Sequence, residues 1–277
     1  MIGKFYGLGV GPGAPDLLTL RAHRILTTIP VVVYPACKPG ASSYAWRIVR
    51  EHVPAETRRL AQVFPMSRDW ASLIPVWREN AREIAAELRA GHDVAFITEG
   101  DPMLFSTFLH VWELLREVAP EVEVEIVPGV SSMCAAAGLT GIPLGQGDQR
   151  IAIIPATWHE DALRGALVEW DVVVLMKVAR VLPKVIDLLK ELGRYESAAL
   201  VSRGSSEQQI VTRDLEKFRD RRLNYLTTVI VGRPLGFVAG LQAEAASGET
   251  EDDPPASDCG TGTGGSCPSP LNLSEIP

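Results

Sequence analysis

The first 145 residues alternate short apolar runs with amphipathic segments, and each run leads into a loop rich in glycine, proline or acid. The runs are predicted strands, and they cover Phe5 to Val10, Val31 to Tyr34, Val94 to Thr98 and Val122 to Val127. The second run is apolar throughout, as in a strand that is buried on both faces of its sheet. Strands that alternate with helices in this way predict an α/β fold with a mostly parallel sheet.

Two helices are predicted between these strands. Asp16 is placed to cap the first helix, which ends at Pro30. The buried face of that helix comprises Leu18, Ala22, Ile25 and Ile29. The second helix runs from Trp77 to Ala90, and Gly91 stops it.

A second series of predicted strands follows a cluster of turn residues between Gly138 and Gly147. These strands are Arg150 to Ile154, Asp171 to Met176, Ala198 to Ser202 and Leu226 to Val231, with a helix from Leu182 to Leu192. We therefore expect two α/β domains, residues 1–145 and 146–243. Residues 244–277 are acidic and rich in glycine, serine and proline, with little apolar surface to bury, so we expect a disordered tail.

The charge distribution bears on the class of ligand. The chain of 277 residues has a net charge of −7, and the seven acidic residues from Glu244 onward are accompanied by no Lys or Arg. Residues 1–243 therefore hold 27 acidic and 27 basic residues, and such a neutral body provides no overall field for nucleic acid. No apolar stretch is long enough to cross a membrane and no secretory signal is apparent, so cytoplasm is expected.

The four cysteines indicate no metal centre. Cys37 and Cys134 stand alone, and Cys259 and Cys267 are separated by seven residues in a Gly/Ser/Thr-rich segment with no histidine nearby. No Cys-x-x-Cys motif is present. We expect a reduced pair in the tail and no metal site.

The loop Gly7 to Asp16 is rich in glycine and follows the first predicted strand. Its glycines let the backbone approach a ligand closely. The Gly-x-Gly-x-x-Gly pattern of dinucleotide-binding proteins fails at its third glycine, where Pro12 stands, and the segment Tyr34 to Lys38 lacks the acid that would hold a ribose. Nicotinamide, flavin and Rossmann-type methyltransferase sites are therefore disfavoured, and a tight turn without a ligand remains the alternative.

Two further loops end predicted strands. The loop Thr98 to Thr107 contains Asp101, a candidate hydrogen-bond acceptor for a ribose or an amine. Ordinary strand-to-helix capping is the alternative for this loop. In the loop Val127 to Ser132 the two serine hydroxyls either face a ligand or cap the helix that follows. Because the ends of parallel strands meet at one edge of a sheet, the three loops are expected to form one crevice.

The order and spacing of the three loops resemble the tetrapyrrole methylase family, and the resemblance covers about residues 3–243. Within that family, Gly100-Asp101-Pro102 followed by Met-Leu-Phe-Ser-Thr is similar to the branch that methylates C20 of precorrin-2 or cobalt-precorrin-2. Gly11-Pro12-Gly13 and Pro128 to Ser132 agree with that branch. The Ser-Asp-Pro-Gly pattern of related ribosomal-RNA methylases is absent.

The resemblance implies two α/β domains with S-adenosylmethionine in the cleft between them. The cofactor-binding residues that it implies are Pro12, Gly100, Asp101, Met103, Leu104, Ser131, Ser132, Met176, Gly204 and Thr228. The C20 carbon would attack the sulfonium methyl directly and then lose its proton, and no catalytic base is identified. Because the substrate carries many carboxylates, cations near predicted strand ends are candidates to bind it: Arg21, Lys38, Lys177, Arg180 and Arg203.

Other functions and the assembly state remain open at this point. Another corrinoid or sirohaem methylase, an RNA or protein methylase, and a nucleotide sensor without catalysis are the alternatives. The resemblance also implies a homodimer. The apolar segment from Val63 to Trp77, interpreted as a loop, would lie at its interface or fold back on its own domain.

Overall fold

Two five-stranded sheets follow one another along the chain. The computed structural model describes residues 1–65 and 69–233. The first sheet comprises β1 (Phe5–Gly9), β2 (Val31–Ala36), β3 (Arg58–Val63), β4 (Val94–Thr98) and β5 (Val124–Val127). Its order is β3-β2-β4-β1-β5 and every neighbouring pair is parallel. The predicted α/β fold is confirmed.

The second sheet is mixed. It comprises β6 (Ile151–Pro155), β7 (Val172–Met176), β8 (Ala198–Ser202), β9 (Ile210–Thr212) and β10 (Thr227–Val231). The order is β6-β7-β10-β8-β9, and β6 with β7 is the one parallel pair of neighbours in this sheet. Both sheets lie in one compact unit, Met1–Leu235. The predicted domain boundary near residue 145 falls in the connection between β5 and β6 and stays a prediction.

Helices cover both faces of the first sheet. The seven α-helices of the described ranges are α1 (Leu20–Leu26), α2 (Tyr44–Val49), α3 (Trp70–Arg89), α4 (Phe108–Val118), α5 (Ser132–Thr140), α6 (Glu160–Glu169) and α7 (Leu182–Glu191). Val31 and Val33 of β2 pack with α3 and α4, whereas Val32 between them packs with α1 and α2. Successive strand side chains point to opposite faces, so a strand covered on both sides must be apolar at every position.

Helix α5 connects the two sheets. It begins shortly after β5 of the first sheet, and its Met133 and Ala137 pack against Val174 and Ile230 of the second sheet. On the other face of the second sheet, α6 and α7 bury Leu163, Leu167, Val185 and Leu189. The loop between β5 and α5 is therefore held between the two sheets.

Two local predictions were wrong. Pro15–Leu17 forms a separate 3₁₀ turn, and α1 is capped by Thr19, whose hydroxyl oxygen accepts a hydrogen bond from the Ala22 N–H at 3.2 Å; Asp16 does not cap it. The second half of the segment expected to be an apolar loop is helical instead, because α3 starts at Trp70 and buries Leu73 and Trp77. Pro75 is tolerated inside α3 at the loss of one backbone hydrogen bond.

Some predictions fall outside the described ranges. Residues 66–68 of the apolar segment and residues 234–277, which include the predicted tail with Cys259 and Cys267, lie outside them. Within residues 1–65 and 69–233, no helix combines the length and apolar character needed to cross a membrane.

Candidate functional site

Strand ends of both sheets surround a cavity of about 820 Å³, a volume typical of small-molecule sites. All ten residues predicted to bind the cofactor line it: Pro12, Gly100, Asp101, Met103, Leu104, Ser131, Ser132, Met176, Gly204 and Thr228. The first seven come from the loops after β1, β4 and β5. The last three come from β7, the loop after β8, and β10, so the cavity requires both sheets.

Backbone contacts hold the three loops of the first sheet together. The Gly100 N–H donates to the Gly11 carbonyl at 2.8 Å, and the Gly11 N–H donates to the Gly100 carbonyl at 3.3 Å. A Cβ on Gly9 would lie 2.6 Å from the Gly100 oxygen and 2.6 Å from the Gly129 nitrogen. Only a residue without a side chain fits at this crossing.

The Asp101 carboxylate joins the second loop to the third. Its Oδ1 accepts a hydrogen bond from the Met103 N–H at 2.8 Å, and its Oδ2 accepts one from the Gly129 N–H at 3.0 Å. Each carboxylate oxygen can accept a further hydrogen bond. Asp101 can therefore join the loops and also contact a ligand, and the contact with the cofactor stays a prediction.

The third loop ends at the N-terminus of α5. Ser131 is buried and caps this helix, since its Oγ accepts a hydrogen bond from the Cys134 N–H at 3.5 Å. Ser132 is the first residue of the helix. Both serines also line the cavity, so the capping interpretation and a place in the ligand crevice are compatible.

Strained backbone surrounds the cavity. Within the described ranges, the non-glycine residues with positive φ are Phe105, Lys177, Arg203 and Ser205. The first three line the cavity. The Lys177 Nζ lies 5.3 Å from the centroid of the Phe105 ring, which links a loop of each sheet. Such conformations cluster at ligand sites because the surrounding structure must hold them there.

The cations predicted to bind the substrate are divided between two environments. Lys177 and Arg203 follow β7 and β8 directly and line the cavity. Arg21 forms an ion pair with Glu125 and is not among the lining residues. Lys38 and Arg180 are exposed outside the lining.

Several polar lining residues were missed by the sequence analysis. Burial raises the pKa of Glu99, whose carboxylate accepts hydrogen bonds from its own N–H and from the Ala45 N–H. Burial also raises the pKa of Tyr225, and the nearby Glu99 charge adds to this rise. Burial lowers the pKa of His110, whose ring stacks on Trp77 at 4.6 Å. Glu99 could have been predicted from the sequence, because it is a carboxyl group directly after a wholly buried strand.

Within the described ranges, the cavity wall offers a polar ligand one unpartnered hydroxyl. The Tyr44 hydroxyl is buried, lines the cavity and has no hydrogen-bond partner among the residues that the structure describes. A Cβ on Gly13 would lie 2.9 Å from that hydroxyl and 2.8 Å from the Gly204 carbonyl oxygen.

Within residues 1–65 and 69–233, no group of three or more His, Cys, Asp or Glu residues could hold a metal ion.

Comparison with known proteins identifies the family. The profile described as Tetrapyrrole (Corrin/Porphyrin) Methylases matches residues 4–218. The cobalt-precorrin-2 C(20)-methyltransferase of Salmonella typhimurium is 39% identical over 84% of this chain and 98% of its own length. The precorrin-2 C(20)-methyltransferase of a Sinorhizobium species is 32% identical over 83% and 95%.

The fold is also shared with a solved structure. The uroporphyrin-III C-methyltransferase of Thermus thermophilus, complexed with S-adenosyl homocysteine, has a TM-score of 0.59 and 23% identity, and the match covers 83% of this chain and 97% of that one. From the profile and the two sequence relatives, the chain belongs to the tetrapyrrole (corrin/porphyrin) methylase family.

Proposed function

We propose that this chain methylates C20 of precorrin-2 or cobalt-precorrin-2, with S-adenosylmethionine as methyl donor, in the synthesis of the cobalamin corrin ring. The observation that carries the proposal is the 39% identity over 98% of the Salmonella relative, whose name states this reaction. The chain is thus an S-adenosylmethionine-dependent C-methyltransferase. Its proposed place of action is the cytoplasm.

The cavity wall supports the assignment of the methyl donor. The ten lining residues predicted to bind it surround one space, and the unpartnered Tyr44 hydroxyl offers a donor to a polar ligand. When bound, S-adenosylmethionine supplies an electrophilic methyl group on sulfur. The protein's part is to orient C20 towards that methyl and to exclude water.

Enzymatic turnover tests the proposal. The chain is incubated anaerobically with S-adenosylmethionine and either precorrin-2 or cobalt-precorrin-2, and S-adenosylhomocysteine is measured. Turnover of one substrate supports the proposal and establishes whether cobalt is already in the ring. Binding of S-adenosylhomocysteine without turnover of any tetrapyrrole would favour the sensor alternative. Methyl transfer to RNA or protein alone would contradict the proposal.

Lys177 and Arg203 are proposed to bind carboxylates of the substrate, because both cations line the cavity. We expect Lys177→Asn and Arg203→Asn each to raise the substrate KM about tenfold, since a hydrogen bond to a charged group contributes about 1.5–3 kcal/mol. Asparagine is chosen because it tolerates positive φ. Arg21, Lys38 and Arg180 keep the status of predictions.

Steady-state kinetics check the two variants. The control is Arg82→Gln, which removes a positive charge from the exposed face of α3 where Arg82 pairs with Glu79 at 3.1 Å. The control should leave KM unchanged. Equal KM values in Lys177→Asn, Arg203→Asn and the control would contradict the substrate contact. A loss of S-adenosylhomocysteine affinity as large as the rise in KM would contradict it too.

A homodimer is also proposed. Trp70 and Ile74, in the first turns of α3, are 57% and 38% exposed, and exposed apolar side chains of this size are typical of an interface. Light scattering at micromolar concentration should give a dimeric mass, and Trp70→Asp should lower it. Trp77 is unsuited to this test because it is buried. A monomeric wild-type chain would exclude the dimer.

A further inference from the structure

Within the described ranges, two acidic side chains line the cavity, Asp101 and Glu99. They differ in the hydrogen bonds that their carboxylates make. Asp101 has one hydrogen bond to each oxygen, from the N–H groups of Met103 and Gly129. Glu99 lies two residues earlier, directly after the last residue of β4. The side-chain hydrogen bond between the second and third loops is made by Asp101, and Glu99 takes no part in it.

Backbone N–H groups stabilise the ionised Glu99 carboxylate. Its hydrogen-bond donors are its own N–H and the N–H of Ala45 in α2. The charged and titratable groups that affect it are Arg47 of the same helix and Tyr225 from the loop before β10. Arg47 acts through its charge and lies over the Tyr44 ring, 5.0 Å from the centroid. Glu99 thus keeps acceptor capacity on a cavity wall, beside the proposed cofactor residue Gly100.

The proposed reaction requires a proton acceptor. As C20 forms its bond to the methyl carbon, the S–CH₃ bond breaks and its electron pair stays on sulfur. The ring then carries a positive charge and a tetrahedral C20 that holds both methyl and hydrogen. Breaking the C20–H bond returns its electron pair to the conjugated ring, and the proton must pass to a base.

We infer that Glu99 is the catalytic base that removes the C20 proton, a role that rests on the proposed function. The carboxylate takes the proton from the methylated ring and releases it to solvent through the open cavity. Burial raises the pKa of Glu99, which makes its carboxylate a better proton acceptor. The position of Glu99 on the cavity wall and its raised pKa therefore point to the same residue.

Other titratable groups on the wall suit the role less well. The raised pKa of Tyr225 keeps its phenol protonated at neutral pH. His110 has its ring stacked on Trp77, with 11° between the two planes, and T-shaped against Trp70. Burial also lowers the pKa of His110, which makes it a weaker proton acceptor. Lys177 and Arg203 are cations and are assigned to substrate carboxylates.

Glu99→Gln is the decisive variant, because the amide oxygen can still accept the Ala45 N–H while the proton acceptor is lost. We expect kcat to fall by at least about 100-fold, with unchanged affinity for S-adenosylhomocysteine. A primary isotope effect should appear, or increase, with substrate deuterated at C20, because C–H cleavage becomes the slow step. The control is Glu79→Gln on the exposed face of α3, which should leave kcat unchanged.

The pH profile provides a second readout. The base must be ionised, so wild-type kcat should decline as pH falls through the raised pKa of Glu99, above the pH at which an ordinary glutamate protonates. Glu99→Gln should lack this limb. An unchanged kcat in Glu99→Gln would overturn the inference. So would a fall in kcat that is matched by lost cofactor affinity and shows no isotope effect. In both cases, turnover by the wild-type chain would leave the proposed function standing. A wild-type chain that methylates no tetrapyrrole would overturn both.

Discussion

Gly129→Ala is expected to abolish tight binding of S-adenosylhomocysteine and to destabilise the fold. A Cβ at this position would lie 2.1 Å from the Gly100 carbonyl oxygen and 2.8 Å from the Gly9 Cα. Both neighbours are backbone, so neither can move aside as a flexible side chain would. Overpacking of this kind costs about 1–3 kcal/mol of unfolding free energy, and here it separates the three loops that form the cavity.

Calorimetry and denaturant unfolding measure the two effects of Gly129→Ala. We expect affinity to fall by more than tenfold, about 1.4 kcal/mol. The matched control is Gly165→Ala in α6, where a Cβ would meet nothing within 4 Å. The control should stabilise the protein by about 0.4–1 kcal/mol and leave binding intact. If the two alanine variants behave alike, the proposed packing of the loops is wrong.

Asp101→Ala is expected to weaken S-adenosylhomocysteine binding at least tenfold, about 1.4 kcal/mol. The substitution removes the acceptor for the N–H groups of Met103 and Gly129. A hydrogen bond to a charged group contributes about 1.5–3 kcal/mol, so the second and third loops should separate. Asp101→Asn keeps one acceptor oxygen and should give an intermediate loss.

Asp93→Ala is the matched control for Asp101→Ala. Asp93 precedes β4 at the opposite end of that strand, and its Oδ1 accepts the Lys4 N–H at 2.7 Å. Its loss should lower stability without changing the affinity measured by calorimetry. Equal affinities in the two alanine variants would show that Asp101 does not organise the cavity.

The sequence predicted best those strands that are buried on both faces. β2 and β4 read as uninterrupted apolar runs because helices cover both of their sides. β3 was missed because it lies at the edge of the sheet, where Arg58 and Arg59 are exposed and break the apolar pattern. A strand can be predicted from its apolar residues only where both of its faces are buried. An edge strand such as β3 has too few buried positions to show that pattern.

The candidate site was predictable wherever it follows strand ends. Parallel strands bring their loops to one edge, so the sequence alone predicts that the three loops meet. The bond from Gly129 to Asp101 spans 28 residues of sequence, and no local pattern encodes it. The ion pair of Arg21 with Glu125 spans 104 residues, which explains why position near a strand end did not place this arginine in the cavity.

The position of the transferred methyl group tests the central claim most directly. The chain is supplied with S-adenosylmethionine labelled with ¹³C in its methyl group, together with the substrate that it turns over, and the product is assigned by NMR. We predict one labelled methyl group, attached to C20, with the C20 proton lost. A labelled methyl on any other ring carbon would contradict the assignment and make the chain another corrinoid or sirohaem methylase of the same fold.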